Sequence, residues 1–356
     1  MPDREKAVDR ESGLSGTGIT AVVLAGGKAT RLRPLSLSRP KGMVPVLNRP
    51  FMEHVLAYFQ QYGITKVVLA LGHAAESLEA HFGDGSRFGI SIEYSVEDEP
   101  LGTAGAVKKL EPVLHDTFIV YNGDVYTTIP LDELIAVHRA REAVATIALT
   151  PADDPSQYGV VETDDTGGIR RFIEKPAPGM TSATSINAGI YVLEPGVFRH
   201  MNEGFVMFET DVFPSLLEAG ARFYAHDSDA YWIDIGTPEK YRKLNLDLAD
   251  CIEPEEGGGG DAKDARVVIA SDALVHPSAM LLPPAVVGPG TTLMEDAFVH
   301  RSVLWEGCTI SERATVRDSV LADGCVVGPH SSVSRCILGE GTRIAADTVV
   351  SDLSMP

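Results

Sequence analysis

Between residues 275 and 350 an aliphatic side chain returns every six residues. The series runs Val275, Leu281, Val287, Leu293, Val299, then Leu304, Ile310, Val316, then Leu321, Val327, Val333, then Leu338, Ile344, Val350, with a five-residue step at each join. Small or branched residues fall four places after many of these, at Ala279, Ala285, Thr291, Ala297, Cys308, Ala314, Cys325 and Ser331. A slower repeat lies over the fast one. Segments beginning Arg301-Ser-Val-Leu, Asp318-Ser-Val-Leu and Arg335-Cys-Ile-Leu are spaced by 17 residues, two steps of six and one of five. Neither a helix nor an ordinary strand has this period. One turn of a three-sided coil does. A single turn cannot bury its own aliphatic edge, so the turns must stack.

The pattern resembles the hexapeptide-repeat, left-handed parallel β-helix. The fourteen repeat positions, three to a turn, imply between four and five turns. Residues 251–266 break the pattern that precedes them. Four consecutive glycines, Gly257 to Gly260, lie among acidic residues there and read as a flexible linker. The expected organisation is a disordered extension at 1–17, a domain at 18–250, the linker, and the β-helix at 267–356.

Composition sets limits on partners. The chain has 356 residues, enough for roughly two domains. Its formal net charge of −20 argues against nucleic acid or an anionic membrane as a partner, because those need a broad basic surface. No run approaches the ~18 apolar residues of a membrane helix. Residues 1–17 are polar and carry no secretory core. The four cysteines, Cys251, Cys308, Cys325 and Cys336, form no CxxC pair and read as small buried residues in a reducing cytoplasm.

In the first domain, apolar strand-like runs at 19–24, 65–71, 90–95, 117–122 and 144–149 alternate with helical patterns at 50–62, 74–82, 103–110 and 131–141. Such alternation implies an α/β, Rossmann-like, mostly parallel sheet. Residues 158–194 are richer in β-branched residues and read as strands added beside that sheet. Residues 237–249 read as a closing helix.

Against the acidic background, residues 28–41 carry five positive charges, Lys28, Arg31, Arg33, Arg39 and Lys41, and no negative one. They follow a strand and a Gly26-Gly27 turn. Backbone N–H groups at such a turn favour anions. Gly-Gly alone is a common tight turn; the adjoining cations are what point to phosphate.

Seven motifs then appear in an order that resembles the sugar-1-phosphate nucleotidyltransferases. They are Leu24-Ala-Gly-Gly-Lys-Ala-Thr-Arg-Leu-Arg-Pro with Arg39-Pro-Lys41; Glu99-Pro-Leu-Gly102-Thr-Ala-Gly105; Asn122-Gly-Asp124; Tyr158-Gly159-Val; Phe172-Ile-Glu174-Lys175-Pro; Asn187-Ala-Gly-Ile-Tyr; and Trp232-Ile-Asp234-Ile-Gly-Thr-Pro. The mannose-1-phosphate guanylyltransferase branch is the most similar, and it too carries a hexapeptide tail. The resemblance implies transfer of a nucleotidyl group from an NTP, GTP for that branch, to a hexose 1-phosphate, mannose 1-phosphate for that branch, with release of pyrophosphate. It implies catalytic roles for Arg31, Lys41, Lys175 and Asp124. It places the NTP on Leu24, Ala25, Gly26, Gly27, Lys28, Thr30, Glu99 and Gly102, and the sugar phosphate on Gly159, Glu174, Lys175 and Asn187. It implies Mg²⁺ held by Asp124 and Asp234. An N-cap role for Asp234 is the alternative, but Thr237 suits that role better. The acidic stretch Glu97-Asp98-Glu99 favours guanine, whose edge offers two adjacent donors.

Two departures stand out. Ala29 occupies a position where glycine is usual, and Gly42 one where proline is usual. They leave open a weakly active NDP-sugar-sensing homologue. Thymidylyl, uridylyl or adenylyl transfer to glucose 1-phosphate is the other alternative. Arg33 and Arg39 read as surface residues, as do His276, His300 and His330. The solenoid reads as a device for assembly or regulation, and a homo-oligomer is expected.

Overall fold

The computed structural model describes residues 18–72, 75–252 and 266–356. The extension expected at 1–17, residues 73–74 and residues 253–265 of the expected linker lie outside the described residues. The chain forms two compact units, neither of them continuous in sequence. One holds residues 18–27 and His54–Trp232; the other holds Lys28–Glu53 and Ile233–Pro356. The basic segment therefore belongs with the solenoid.

The first unit is built on nine strands: β1 (Thr20–Leu24), β2 (Lys66–Leu71), β3 (Ser91–Val96), β4 (Phe118–Asn122), β5 (Ala145–Pro151), β6 (Gly159–Thr163), β7 (Ile169–Glu174), β8 (Ser185–Leu193) and β9 (Phe223–Asp227). Its helices are α1 (Phe51–Gln61), α2 (Ala75–Phe82), α3 (Gly102–Lys108), α4 (Leu131–Ala140) and α5 (Phe213–Glu218). The strand order is β7-β6-β8-β4-β1-β2-β3, with β5 also on β8 and β9 on β5. β1 runs parallel to β2 and β4, β2 to β3, and β5 to β9. The long β8 runs antiparallel to β4, β5 and β6, so the sheet is mixed where the alternation of elements suggested mostly parallel. The apolar runs predicted to be strands are buried on both faces: Ala21, Val22 and Val23 have no exposed surface. In α1, Phe51, Val55, Leu56 and Phe59 are buried as their spacing predicts, and Gly63 at φ 69° follows the helix.

In the second unit, three parallel sheets form the β-helix. One contains Val267–Ile269, Ala285–Val287, Val303–Leu304, Val320–Leu321, Ile337–Leu338 and Ser354–Met355; the other two have five strands each. The arrangement matches a left-handed β-helix. All fourteen repeat positions fall in strands, and the register extends one step further at each end, to Ile269 and Met355. The corners repeat with the turns. Gly307, Gly324 and Gly341 have φ between 65° and 70°, and Arg301, Asp318, Arg335 and Asp352 between 48° and 55°. Stacked corners pair Arg301 with Asp318 at 3.0 Å and Arg335 with Asp352 at 2.6 Å.

The six-stranded sheet is covered outside as well as inside. Its outward-pointing Val286 and Val303 are buried where α6 (Pro238–Asp250) packs over their strands, and Val320 on the next strand is buried too. α6 begins at Thr237, whose hydroxyl accepts from the Lys240 N–H at 3.4 Å, with Pro238 at its first position. That frees Asp234 from the capping role. Cys308, Cys325 and Cys336 are buried free thiols; Cys251 is exposed, contrary to the buried reading.

Candidate active site

In an open parallel sheet, ligands bind beyond the carboxyl ends of the strands, where the strand order reverses. Here that point is β1, since the chain adds β2 and β3 on one side and then returns to place β4 on the other. Leu24 is paired with Ala70 and with Asn122. The Gly123 N–H donates to the Leu24 carbonyl at 2.9 Å, and the Ala25 N–H donates to Ala70 at 2.9 Å. A side chain on Gly123 would lie 2.7 Å from the Leu24 oxygen. Glycine thus lets the Asn122-Gly123-Asp124 turn cross directly over the end of β1. Gly26 and Gly27 are exposed next to it, with nothing within 4 Å of the Gly27 Cβ position.

The carboxylate on this loop cluster is not that of Glu99. Glu99 is exposed, whereas Glu97 accepts the Leu101 N–H at 3.0 Å, and its other oxygen lies 3.7 Å from the Gly26 Cβ position. Gly102 has φ 75°, and a side chain there would meet the Val206 carbonyl at 2.5 Å, so its role in the loop is steric.

Three of the expected sugar-phosphate residues, Gly159, Glu174 and Lys175, sit together at the end of one strand pair, and the fourth, Asn187, bonds Tyr191. Gly159 and Glu174 are paired across β6 and β7; a side chain on Gly159 would meet the Phe172 ring at 2.5 Å and the Glu174 carboxylate at 3.0 Å. The Lys175 ammonium lies 3.1 Å from the Glu174 carboxylate, on a backbone at φ 46° held by its N–H bond to Tyr158. Asn187 donates to the Tyr191 hydroxyl at 2.8 Å and accepts the Gly189 N–H at 2.9 Å. Burial pushes the Tyr191 hydroxyl well above its ordinary pKa, and the carboxylates of Glu209, Glu174 and Asp124 push it the same way. Those three acids therefore act on one buried hydroxyl. Trp232 closes this side, donating to the Ala188 carbonyl at 2.8 Å and meeting the Tyr158 ring edge-on at 5.6 Å.

Glu209 was not among the residues read from the sequence. It sits on a π-helical turn, Phe208–Val212, a geometry frequent at functional sites. Burial raises its carboxyl above the usual range, its own N–H and the Thr103 hydroxyl lower it, and Glu174 raises while Lys175 lowers it. The Thr103 hydroxyl donates to Glu209 at 3.1 Å and accepts the Phe208 N–H at 2.9 Å. The one signal available was an acid closing the apolar run Phe205-Val-Met-Phe208.

In the second unit, Thr30–Leu32 and Lys41–Met43 form short 3₁₀ turns. Lys28, Thr30 and Arg31 are exposed, and Lys41 is half-buried. Arg31 and Asp234 converge on Gly236, where a side chain would meet the Asp234 carboxylate at 2.6 Å and the Arg31 guanidinium at 3.3 Å. Asp234 is buried and paired with Lys240, a partner the sequence did not suggest. Arg33 is exposed as expected. Arg39 is not a simple surface residue: it pairs with Asp323 and lies over the Trp305 ring.

Ala29 adopts φ 47° and ψ 35°, the left-handed region that glycine occupies without penalty. Ala29→Gly is expected to relieve up to about 1 kcal/mol of backbone strain. A thermal melt should show the variant about 2–4 °C more stable.

Among the described residues no group of three or more His, Cys, Asp or Glu side chains could hold a metal ion unaided. A hard cation held by one or two carboxylates completes its shell with water and phosphate oxygens.

A mixed α/β sheet with a glycine loop at its switch point, accompanied by a cationic segment and a β-helix, defines a class of phosphate-handling enzymes. The chain belongs to the nucleotidyl transferase family, which matches residues 20–251, and residues 264–355 match the GMPPB C-terminal domain. It is 39% identical over 278 residues to mannose-1-phosphate guanylyltransferase from Mycobacterium tuberculosis, spanning 77% of this chain and 76% of that one. It is 35% identical over 320 residues to UTP–glucose-1-phosphate uridylyltransferase from Synechocystis, spanning 80% and 82%. The solved structure of HddC from Yersinia pseudotuberculosis complexed with GMP-PN superposes with a TM-score of 0.57 at 28% identity, over 65% of this chain and 99% of that one. Among the described residues no helix is long and apolar enough to cross a membrane.

Proposed function

We propose that the protein transfers a guanylyl group from GTP to mannose 1-phosphate, releasing pyrophosphate. The Glu97 carboxylate beside the Gly26 backbone carries the choice of base. Guanine presents an N1–H and an amino group side by side, and a carboxylate accepts from both. Uracil and thymine present one such donor. The relatives named as mannose-1-phosphate guanylyltransferases support the same reading. Uridylyl transfer to glucose 1-phosphate is the second reading, which the Synechocystis relative supports.

The sugar phosphate oxygen attacks the α-phosphorus of GTP in line. A new O–Pα bond forms, the Pα–O–Pβ bond breaks, and pyrophosphate leaves with the electron pair. The attacking oxygen is already anionic, so no general base is needed. The protein must instead position two polyanions and neutralise the charge that develops on the leaving group. Lys175 holds the sugar's phosphate. Glu174 and Asn187 bond its hydroxyls, and Gly159 leaves room for the ring. Lys28 and Arg31 hold the β- and γ-phosphates, with Thr30 in the same turn, and Lys41 faces the α-phosphate. Asp124 and Asp234 would hold Mg²⁺, which would supply further neutralisation of phosphate charge.

Glu97→Gln replaces one acceptor oxygen by a donor facing guanine's donors. A bidentate base contact is worth about 1–3 kcal/mol, so kcat/KM for GTP is expected to fall about 10- to 100-fold. The value for UTP should change less than about threefold, because only one acceptor is needed there. Initial rates of pyrophosphate release across GTP, UTP, dTTP, ATP and CTP check this. Equal rates with GTP and UTP in the unaltered protein would defeat the guanine assignment.

A further inference from the structure

The β-helix holds the backbone that carries Lys41. Arg39, two residues upstream, forms an ion pair with Asp323, whose other oxygen accepts the Glu306 N–H at 3.2 Å. The Arg39 guanidinium lies 4.9 Å from the centre of the Trp305 ring. Trp305 is only 2% exposed, and its indole N–H donates to the Tyr241 hydroxyl at 2.8 Å. Tyr241 donates in turn to the carbonyl of Pro45, four residues downstream of Lys41.

Further fastening follows at once. The Leu47 N–H donates to the Asn245 side chain at 3.0 Å, and Asn48 donates to the Val287 carbonyl of the β-helix at 2.9 Å. Leu47 sits at φ 47° and Asn48 at φ 63°, positions a side chain occupies at a cost unless the surroundings impose them. The segment 39–48 is thus tied to the solenoid and to α6 on both sides of Lys41. A half-buried guanidinium sandwiched between an aromatic face and a carboxylate is far more constrained than one in solvent.

We propose that Trp305 and Asp323 are positioning residues for Lys41, so that the β-helix takes part in catalysis by fixing the geometry of the cationic loop. The inference rests on the role given above to Lys41. A displacement of about 1 Å at a group facing the reacting phosphate can cost up to 10²-fold.

The test uses the full-length protein, GTP, mannose 1-phosphate and Mg²⁺, with pyrophosphate release as readout. Asp323→Ala and Trp305→Leu are expected to lower kcat about tenfold or more, with KM for mannose 1-phosphate within about twofold of the unaltered value. Asp323→Glu should recover most of the loss. Arg335→Ala breaks an exposed corner pair elsewhere on the β-helix and should leave kcat unchanged. Introduced into Lys41→Ala, Asp323→Ala should cause no further loss, because the group it positions has gone. Should the alanine or leucine variants fail to fold, Asp323→Asn keeps the size and removes the charge, and Trp305→Phe keeps an aromatic face and removes the indole N–H. Full kcat in both positions' variants, or an equal additional loss in the Lys41→Ala background, overturns the proposal. Full kcat in Lys41→Ala alone would instead refute the role of Lys41 on which it rests.

Discussion

Replacing Asp124 by asparagine is expected to lower kcat by about 10²- to 10³-fold, the loss seen when one group that stabilises transition-state charge is removed. Asp124 follows the Gly123 crossover at the carboxyl end of β4, half-buried, at the point where the parallel strand order reverses. Asparagine keeps the size and the turn-forming ability of the side chain. It loses the charge that a hard cation requires. Stability should therefore change little while turnover collapses. Pyrophosphate release at saturating GTP, mannose 1-phosphate and Mg²⁺, beside a thermal melt, separates the two effects. A homologue that only senses an NDP-sugar would show negligible turnover before the substitution and no change after it.

The second large effect is expected at Lys175. Its ammonium is largely solvent-exposed next to Glu174, so the pair contributes little to stability. Its backbone, at φ 46°, is strained for a lysine. Lys175→Gly removes the charge and the strain together. The variant should melt at or above the temperature of the unaltered protein. Charge-assisted hydrogen bonds are worth about 1.5–3 kcal/mol, so KM for mannose 1-phosphate should rise about 10- to 100-fold. KM for GTP should stay within about twofold, since Lys175 is assigned to the sugar's phosphate alone. A rise in both constants would mean that Lys175 serves the nucleotide as well. Lys175→Ala removes the charge but keeps the strain, and comparing its melt with that of Lys175→Gly measures the backbone term directly.

Much of this was legible in the chain because the relevant forces act over short sequence distances. The six-residue aliphatic period could satisfy its burial in only one way, and it located every strand of the coil except the two at the ends. Val267–Ile269 and Ser354–Met355 were missed because a terminal turn has one neighbour and tolerates a looser pattern. The glycines of the loops were readable since each marks a close approach, as Gly123 does over Leu24. What stayed hidden were pairings between distant positions. Nothing near Arg39 in sequence announces Asp323 or Trp305, and nothing near Asp234 singles out Lys240 before the helix places it there. Glu97 and Glu99 look equivalent in an acidic stretch. Only the path of the chain after β3 turns one to the Gly26 loop and the other to solvent. The sense of β8 was equally beyond reach, because strand direction depends on which neighbours it joins.

If, as proposed, Asp124 and Asp234 act through a single divalent ion, the losses caused by removing either acid cannot multiply. The decisive experiment is a cycle of Asp124→Asn, Asp234→Asn and the double variant, read as kcat for guanylyl transfer at saturating Mg²⁺. The double variant should be no more than about threefold slower than the slower single one, as found for groups that act as a unit. A double variant whose deficit equals the product of the two separate deficits would show two independent contributions and contradict the shared-ion account.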